Sequence, residues 1–137
     1  MKYSTDFHSI RDQVSPQEWQ ARLDLAACYR LVDSYGMTDL IYNHITARIP
    51  GSPDHLLINL YGLLYREITA SSLVKIDVEG DIIWKPDTDY GINKSGYVIH
   101  GAIHKVRPGP GRSSFEACAS ARAPQDDGSR IQFQYGG

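Results

Sequence analysis

The stretch Leu73-Val74-Lys75-Ile76-Asp77-Val78-Glu79-Gly80-Asp81-Ile82-Ile83-Trp84 carries the clearest signal for the fold. Two apolar runs, residues 73–77 and 81–84, flank a three-residue linker that ends in glycine, which is typical of a β-hairpin. Gly80 is expected to supply the positive φ that such a turn requires, because glycine has no Cβ to oppose it. The sequence therefore predicts a pair of antiparallel strands here.

The start of a helix is predicted upstream, at Ser15-Pro16-Gln17-Glu18. The serine stands at the N-cap, the proline at the first helical position and the glutamate three residues after the cap, so that Ser15 and Glu18 can form a capping box. Gly36 is expected to end the helix. We expect the helix to pack on a sheet through one apolar stripe, formed by Trp19, Leu23, Ala26, Ala27, Leu31 and Tyr35.

The remaining elements complete the predicted architecture. Residues 45–49 and 56–60 are predicted to be strands separated by a loop at 50–53, and residues 86–91 form a polar loop. A second helix is expected from Ser95 or Gly96 to 107–108, with an apolar face formed by Ile99, Ala102, Ile103 and Val106. These elements indicate an α/β fold, a three-layer α/β/α arrangement with a mostly antiparallel central sheet.

The chain of 137 residues is long enough for one domain. We expect an N-terminal extension at 1–14, a folded domain at 15–108 and a disordered tail at 109–137. The tail contains no Leu, Val, Met or Trp, so it offers little apolar area to offset the entropy of ordering. The sheet is therefore expected to be incomplete on its C-terminal side. Either a reading-frame error after Pro108 or a natural truncation with a disordered extension explains such a tail.

Composition excludes several classes of partner. The chain has 14 Lys and Arg against 16 Asp and Glu, a formal net charge of −2, so it lacks the basic surface that nucleic acid binding requires. No apolar run approaches the roughly 20 residues that span a bilayer. Two cysteines, Cys28 and Cys118, make a disulfide framework improbable, and the predicted compartment is the reducing cytoplasm.

Three short motifs point to a known family. They are Asn43-His44-Ile45-Thr46-Ala47-Arg48, Tyr61-Gly62 and Lys94-Ser95-Gly96. Over residues 17–108 the chain resembles the class II aldolase/adducin family, where the corresponding motifs are Gly-Asn-Val-Ser-x-Arg, Thr-Gly and Ser-Ser-Glu. The Asn43-His44 variant is similar to the adducin-related branch. In the family's enzymes the glutamate of the third motif is the general base, and Gly96 stands in its place here.

The resemblance implies a small phosphorylated ligand bound by Asn43, His44, Gly62, Lys94 and Ser95, and a homo-oligomer. Lys94 has a second interpretation, as a solvated lysine beside the cap of the second helix.

The family's enzymes also hold a divalent zinc or similar metal on a His-x-His pair and a later histidine, all beyond the position of Pro108. This sequence has no histidine after His104. We therefore expect no metal, no cofactor and no catalytic residue, and a catalytically silent member of the superfamily. The alternative is a fragment of a metal-dependent sugar-phosphate aldolase, epimerase or dehydratase.

His100 and His104 are the remaining candidates for a metal site. Their spacing of four residues places both on one side of a helix, as in the histidine pairs of zinc enzymes. Gly101 rather than glutamate follows His100, and no third ligand lies nearby in the sequence. A packed or solvent-facing pair is therefore predicted in preference to a metal site. His8 and His55 are expected in loops.

Overall fold

The chain forms one long helix and a five-stranded sheet in the computed structural model, which describes residues 3–38, 40, 42–94, 96–98, 101–102 and 115–116. The elements are helix α1 (Pro16–Ser34) and strands β1 (Thr46–Ile49), β2 (Ser52–Ile58), β3 (Val74–Asp77), β4 (Ile82–Trp84) and β5 (Phe115–Glu116), with 3₁₀ turns at Arg11–Gln13 and Tyr65–Glu67. None of the helices in these ranges is both long and apolar enough to cross a bilayer.

The sheet has the strand order β4-β3-β2-β1-β5, and every neighbouring pair is antiparallel. The predicted hairpin is confirmed. Ile76 lies opposite Ile82 and Lys75 opposite Trp84, with a register shift between these pairs. Gly80 has φ +93°, as the turn requires. The first four strands therefore follow one another in space as they do along the chain.

The connection between β1 and β2 is shorter than the predicted loop at 50–53. Ser52 already pairs with Ile49, so the turn consists of Pro50 and Gly51 alone. Gly51 has φ +79°, and a glycine in this conformation allows a tight reversal between antiparallel strands. The strand β2 consequently begins earlier than predicted and includes His55, whose expected loop position was wrong.

Only one of the two hydrogen bonds of the predicted capping box forms at the start of α1. The Oγ atom of Ser15 accepts from the N–H of Glu18 at 3.1 Å, as expected. The carboxylate of Glu18 points into the protein instead, where its two oxygens lie 2.9 Å from Arg22 Nη2 and 2.9 Å from Lys75 Nζ. Arg22 is fully buried, and its Nη1 donates to the carbonyls of Ala70 and Leu73. This buried ion-pair network joins α1 to β3.

The prediction of one buried apolar stripe on α1 was wrong except at Ala26. The helix buries Glu18, Ala21, Arg22, Leu25, Ala26 and Tyr29. Of the predicted stripe, Leu23 is 42% exposed, Leu31 58% and Tyr35 75%. Because the charges of Glu18 and Arg22 are paired and hydrogen-bonded, the desolvation of these side chains is largely offset and both can be buried. The helix face that carries Leu23, Leu31 and Tyr35 consequently lies towards solvent.

The hydrophobic core joins α1 to the sheet and to the loops at its ends. Its fully buried members include Leu25, Tyr29, Leu56, Leu57, Ile58, Leu60, Leu63, Ile68, Leu73, Val74 and Ile76. The N-terminal segment, residues 3–14, also contacts this body, because Phe7 packs against the core and Ile10 is buried.

The predicted second helix is described only in part. Residues 94, 96–98 and 101–102 are helical, so this segment starts at Lys94, before the predicted position. Glycines allow it to approach the β3–β4 turn closely: a Cβ on Gly80 would lie 2.2 Å from the Tyr97 ring, and one on Gly101 would lie 2.6 Å from the Val78 carbonyl. Ala102 is exposed, although its predicted face was apolar.

Several predictions fall on residues outside the described ranges. They concern Ser95, Ile99, His100, Ile103, His104, Val106, the helix end at 107–108 and most of the tail at 109–137. Within the tail, Phe115–Glu116 forms β5 and pairs with β1. The predicted disorder of the other tail residues stays a prediction.

Candidate functional site

Three of the predicted ligand-binding residues lie at one end of the sheet. Asn43 and His44 immediately precede β1, and Gly62 follows β2. Because β1 and β2 are antiparallel, the start of one and the end of the other lie at the same edge of the sheet. Lys94 begins the second helical segment, and Ser95 lies outside the described residues.

The hydroxyl of Tyr29 holds the two strand ends together. It accepts from the N–H of Ile45 at 2.8 Å, and it lies within hydrogen-bonding distance of the Ile45 carbonyl and of Asn59 Oδ1. Complete burial raises the pKa of the Tyr29 phenol well above its usual range, so the group stays protonated. Through these bonds α1 fixes Ile45, which follows His44, and Asn59, which follows β2.

Asn43 is anchored to the chain that leaves α1. The residue is 6% exposed, and its Nδ2 atom donates to the carbonyl of Met37 at 3.3 Å. The amide therefore ties the segment before β1 to the chain that leaves α1, and the role of Asn43 as a ligand contact stays a prediction.

His44 contacts the second helical segment at Gly96. His44 is 4% exposed, and a Cβ on Gly96 would lie 2.3 Å from the Nε2 atom of its ring. The ring therefore occupies the space that any side chain at position 96 would need. Burial lowers the pKa of His44, and this effect exceeds the opposing effect of hydrogen bonds with the backbone of Tyr42 and Gly96. The imidazole is consequently neutral at pH 7.

The lowered pKa of His44 predicts a loss of stability on acidification. An unfolded histidine takes up a proton near pH 6.5, whereas the folded one resists protonation until a lower pH. The unfolded state thus binds more protons in this window, so the free energy of unfolding should fall as the pH drops below about 6.5. Urea melts between pH 7.5 and 5.5 should show a smaller change in His44→Gln. An equal pH dependence in both proteins would contradict the prediction.

The turn after β2 packs on a tyrosine that the sequence did not single out. Gly62 has φ +107°, and a Cβ there would lie 3.1 Å from two ring carbons of Tyr90. The N–H of Tyr61 donates to the carbonyl of Gly91 at 2.8 Å, and Lys85 Nζ donates to the carbonyl of Tyr90 at 3.0 Å. Tyr90 therefore packs against Gly62, and Gly96 against His44, so that both contacts come from the part of the chain that follows β4.

The described part of the site offers polar groups and one exposed cation, Lys94. In the described ranges, no group of three His, Cys, Asp or Glu side chains could hold a metal ion. A lysine ammonium at the start of a helical segment attracts an anion, which is the chemistry that a phosphate requires.

Comparison with known proteins identifies the family. The sequence pattern described as "Class II Aldolase and Adducin N-terminal domain" matches residues 23–111. A protein of Caulobacter vibrioides whose name places it with the class 2 aldolases is 57% identical over 99 residues, which cover 72% of this chain and 38% of that protein. Alpha-adducin of Rattus norvegicus is 51% identical over 87 residues, which cover 64% of this chain and 12% of adducin.

Two solved structures share the fold. An aldolase II superfamily protein from Pseudomonas syringae has a TM-score of 0.68 at 56% identity, over 73% of this chain and 40% of that one. An L-fuculose 1-phosphate aldolase from Glaciozyma antarctica has a TM-score of 0.62 at 30% identity, over 75% of this chain and 40% of that one. The chain thus spans about two fifths of these structures.

Proposed function

The chain belongs to the class II aldolase and adducin N-terminal domain family, and from this membership we propose that it is an adducin-like member that binds a small phosphorylated ligand without transforming it. The contact between His44 and Gly96 carries the proposal. At the position where the family's enzymes hold their general base, the imidazole fills the space of a side chain. Without that carboxylate, a proton-transfer step typically worth 10²–10⁴ in rate has no acceptor.

The proposed ligand contacts are Asn43, His44, Gly62, Lys94 and Ser95. Support comes from the end of the sheet that Asn43, His44 and Gly62 share, and from the exposed ammonium of Lys94 at the start of the second helical segment. The L-fuculose 1-phosphate aldolase, a structural relative, is named for a phosphorylated sugar. We propose the same chemical class of ligand for this chain, in the cytoplasm.

Removal of the Lys94 ammonium should weaken phosphate binding. The loss of a hydrogen bond from a charged donor lowers affinity by about tenfold. Calorimetric titration with a sugar phosphate compares Lys94→Ala with Arg66→Ala, which removes the same charge from an exposed position outside the proposed site. Equal affinity in both variants would reject the assigned role of Lys94 and favour its interpretation as a solvated lysine.

The enzyme alternative, a fragment of a metal-dependent aldolase, epimerase or dehydratase, is supported by the likeness to the L-fuculose 1-phosphate aldolase. The two functions differ in metal content and turnover. For the silent member we expect well under one equivalent of zinc or manganese after dialysis and no cleavage of sugar phosphates. Stoichiometric metal with measurable cleavage would establish the alternative instead.

We also propose the three-layer arrangement. Lys75 contacts Glu18 of α1, whereas its neighbours Val74 and Ile76 alternate to the other face of β3 and are completely buried. A sheet buried on both faces must be covered on both. Tyr97 of the second helical segment packs against the core, so we propose that this segment covers the second face of the sheet.

A homo-oligomer is the proposed state in solution, because α1 presents Leu23 and Leu31 outward and exposed apolar patches mark interaction surfaces. Size-exclusion chromatography with light scattering should show more than one chain per particle. Leu31→Lys should shift the population towards the monomer, and Val98→Lys, at a position that is 62% exposed on the second helical segment, should not. A monomeric wild type would exclude this proposal.

A further inference from the structure

The N-terminal segment reaches the end of the sheet where the proposed ligand site lies. Ile10 is buried, and its N–H donates to the Oγ atom of Ser71 at 3.4 Å. Phe7 packs against the core. Further towards the N-terminus, the ring of Tyr3 meets the ring of Tyr90 edge to face, with centroids 4.9 Å apart and planes at 68°. The segment is therefore held at three successive points.

Tyr90 lies between this segment and the turn after β2. One part of its ring is packed against Gly62, where a Cβ would be only 3.1 Å from Cδ1 and Cε1. Its carbonyl accepts from Lys85, and the carbonyl of the next residue, Gly91, accepts from the N–H of Tyr61. If the Tyr90 ring moved, Gly62 would lose the surface against which it packs. The hydrogen bond from the Tyr61 N–H to the Gly91 carbonyl, one residue away from Tyr90, would be weakened as well.

We propose that Tyr3 and Tyr90 are positioning residues, and that the N-terminal segment is a strap that holds the Tyr61-Gly62 turn in the form that binds the ligand. The functional part of this inference rests on the proposed binding of a phosphorylated ligand at Gly62. Edge-to-face packing of aromatic rings is a modest interaction. Since Tyr3 is 53% exposed, its contact can open without unfolding the core.

Amide exchange and phosphate titration on the full chain test the strap. In Tyr3→Ala, exchange of the Tyr61 amide should accelerate by about two- to tenfold, the factor that corresponds to one aromatic pair. The dissociation constant for inorganic phosphate should rise by a similar factor. Tyr3→Phe keeps the ring and should restore both values. Tyr35→Ala removes a tyrosine that is 75% exposed at the end of α1 and should leave both values unchanged.

The amide of Ile76 in β3 separates a local effect from a global one. Its exchange should not change in Tyr3→Ala, because the strap does not support the centre of the sheet. An unchanged Tyr61 amide, or an equal acceleration of Tyr61 and Ile76, would overturn the proposal. If the wild type binds no phosphate, the proposed function fails, and the exchange of Tyr61 alone still decides whether the strap holds the turn.

Discussion

Gly96→Ala should destabilise the protein by about 1–3 kcal/mol, the cost of forcing an extra carbon into a packed site. Alanine normally stabilises a helix by up to about 1 kcal/mol relative to glycine, so a loss of stability would be diagnostic of the steric contact. The added Cβ would stand 2.3 Å from Nε2 of His44 and under 3 Å from two ring carbons. The imidazole is buried, so the ring must move together with its surroundings. Thermal and urea melts measure the effect.

A double-mutant cycle isolates this contact. His44→Ala removes the ring, and the double variant His44→Ala, Gly96→Ala should be more stable than the sum of the single changes predicts, with a coupling of about 0.5–3 kcal/mol. Gly91→Ala is the matched control, since a Cβ there has no neighbour within 4 Å. Additive changes, or equal losses at positions 91 and 96, would show that the ring and the glycine do not compete for space.

Arg22→Met should destabilise the protein by about 3–5 kcal/mol, the usual cost of removing one partner from a buried ion pair. The guanidinium is completely buried and donates hydrogen bonds to the carboxylate of Glu18 and to the carbonyls of Ala70 and Leu73. It also lies 5.0 Å from the centre of the Trp84 ring, which supplies a fluorescence probe of the same region. A loss of this size is a large part of the 5–15 kcal/mol of a typical domain.

Arg66→Met is the control for Arg22, because Arg66 is exposed and its loss should change stability by less than about 0.5 kcal/mol. The paired variant Glu18→Leu, Arg22→Met should recover much of the loss, since apolar residues then replace both charges and Lys75 retains 19% exposure to water. A single variant as stable as the control would show that the buried network contributes nothing net.

Local signals in the sequence were sufficient for the start of α1 and for the β3–β4 hairpin. The cap at Ser15 and the turn at Gly80 each depend on a few adjacent residues, and both formed where predicted. The buried face of α1 could not be predicted in this way. It is decided by Arg22, whose partners Ala70 and Leu73 lie about fifty residues further along the chain. Hydrophobic periodicity takes no account of such partners, so it selected the outward ridge.

In the candidate site, too, the residues of local motifs could be predicted and the contacts between distant segments could not. Asn43, His44 and Gly62 could be selected from motifs, and the structure places all three at one end of the sheet. The packing of the Tyr90 ring against Gly62 could not be predicted, because the sequence shows only an aromatic residue in a polar loop. Likewise, a glycine such as Gly96 shows its purpose only when the group that approaches it is known.

The order of the strands has a consequence for the kinetics of folding. Strands β1 to β4 pair with their neighbours in sequence, so their contacts close short loops and contribute a low contact order. The pairing of β5 with β1 joins Phe115 to Ala47 and closes a much longer loop, whose entropic cost must be met before the contact forms. We therefore expect the four-stranded meander to assemble early in refolding, and β5 to dock afterwards on a nucleus that already exists.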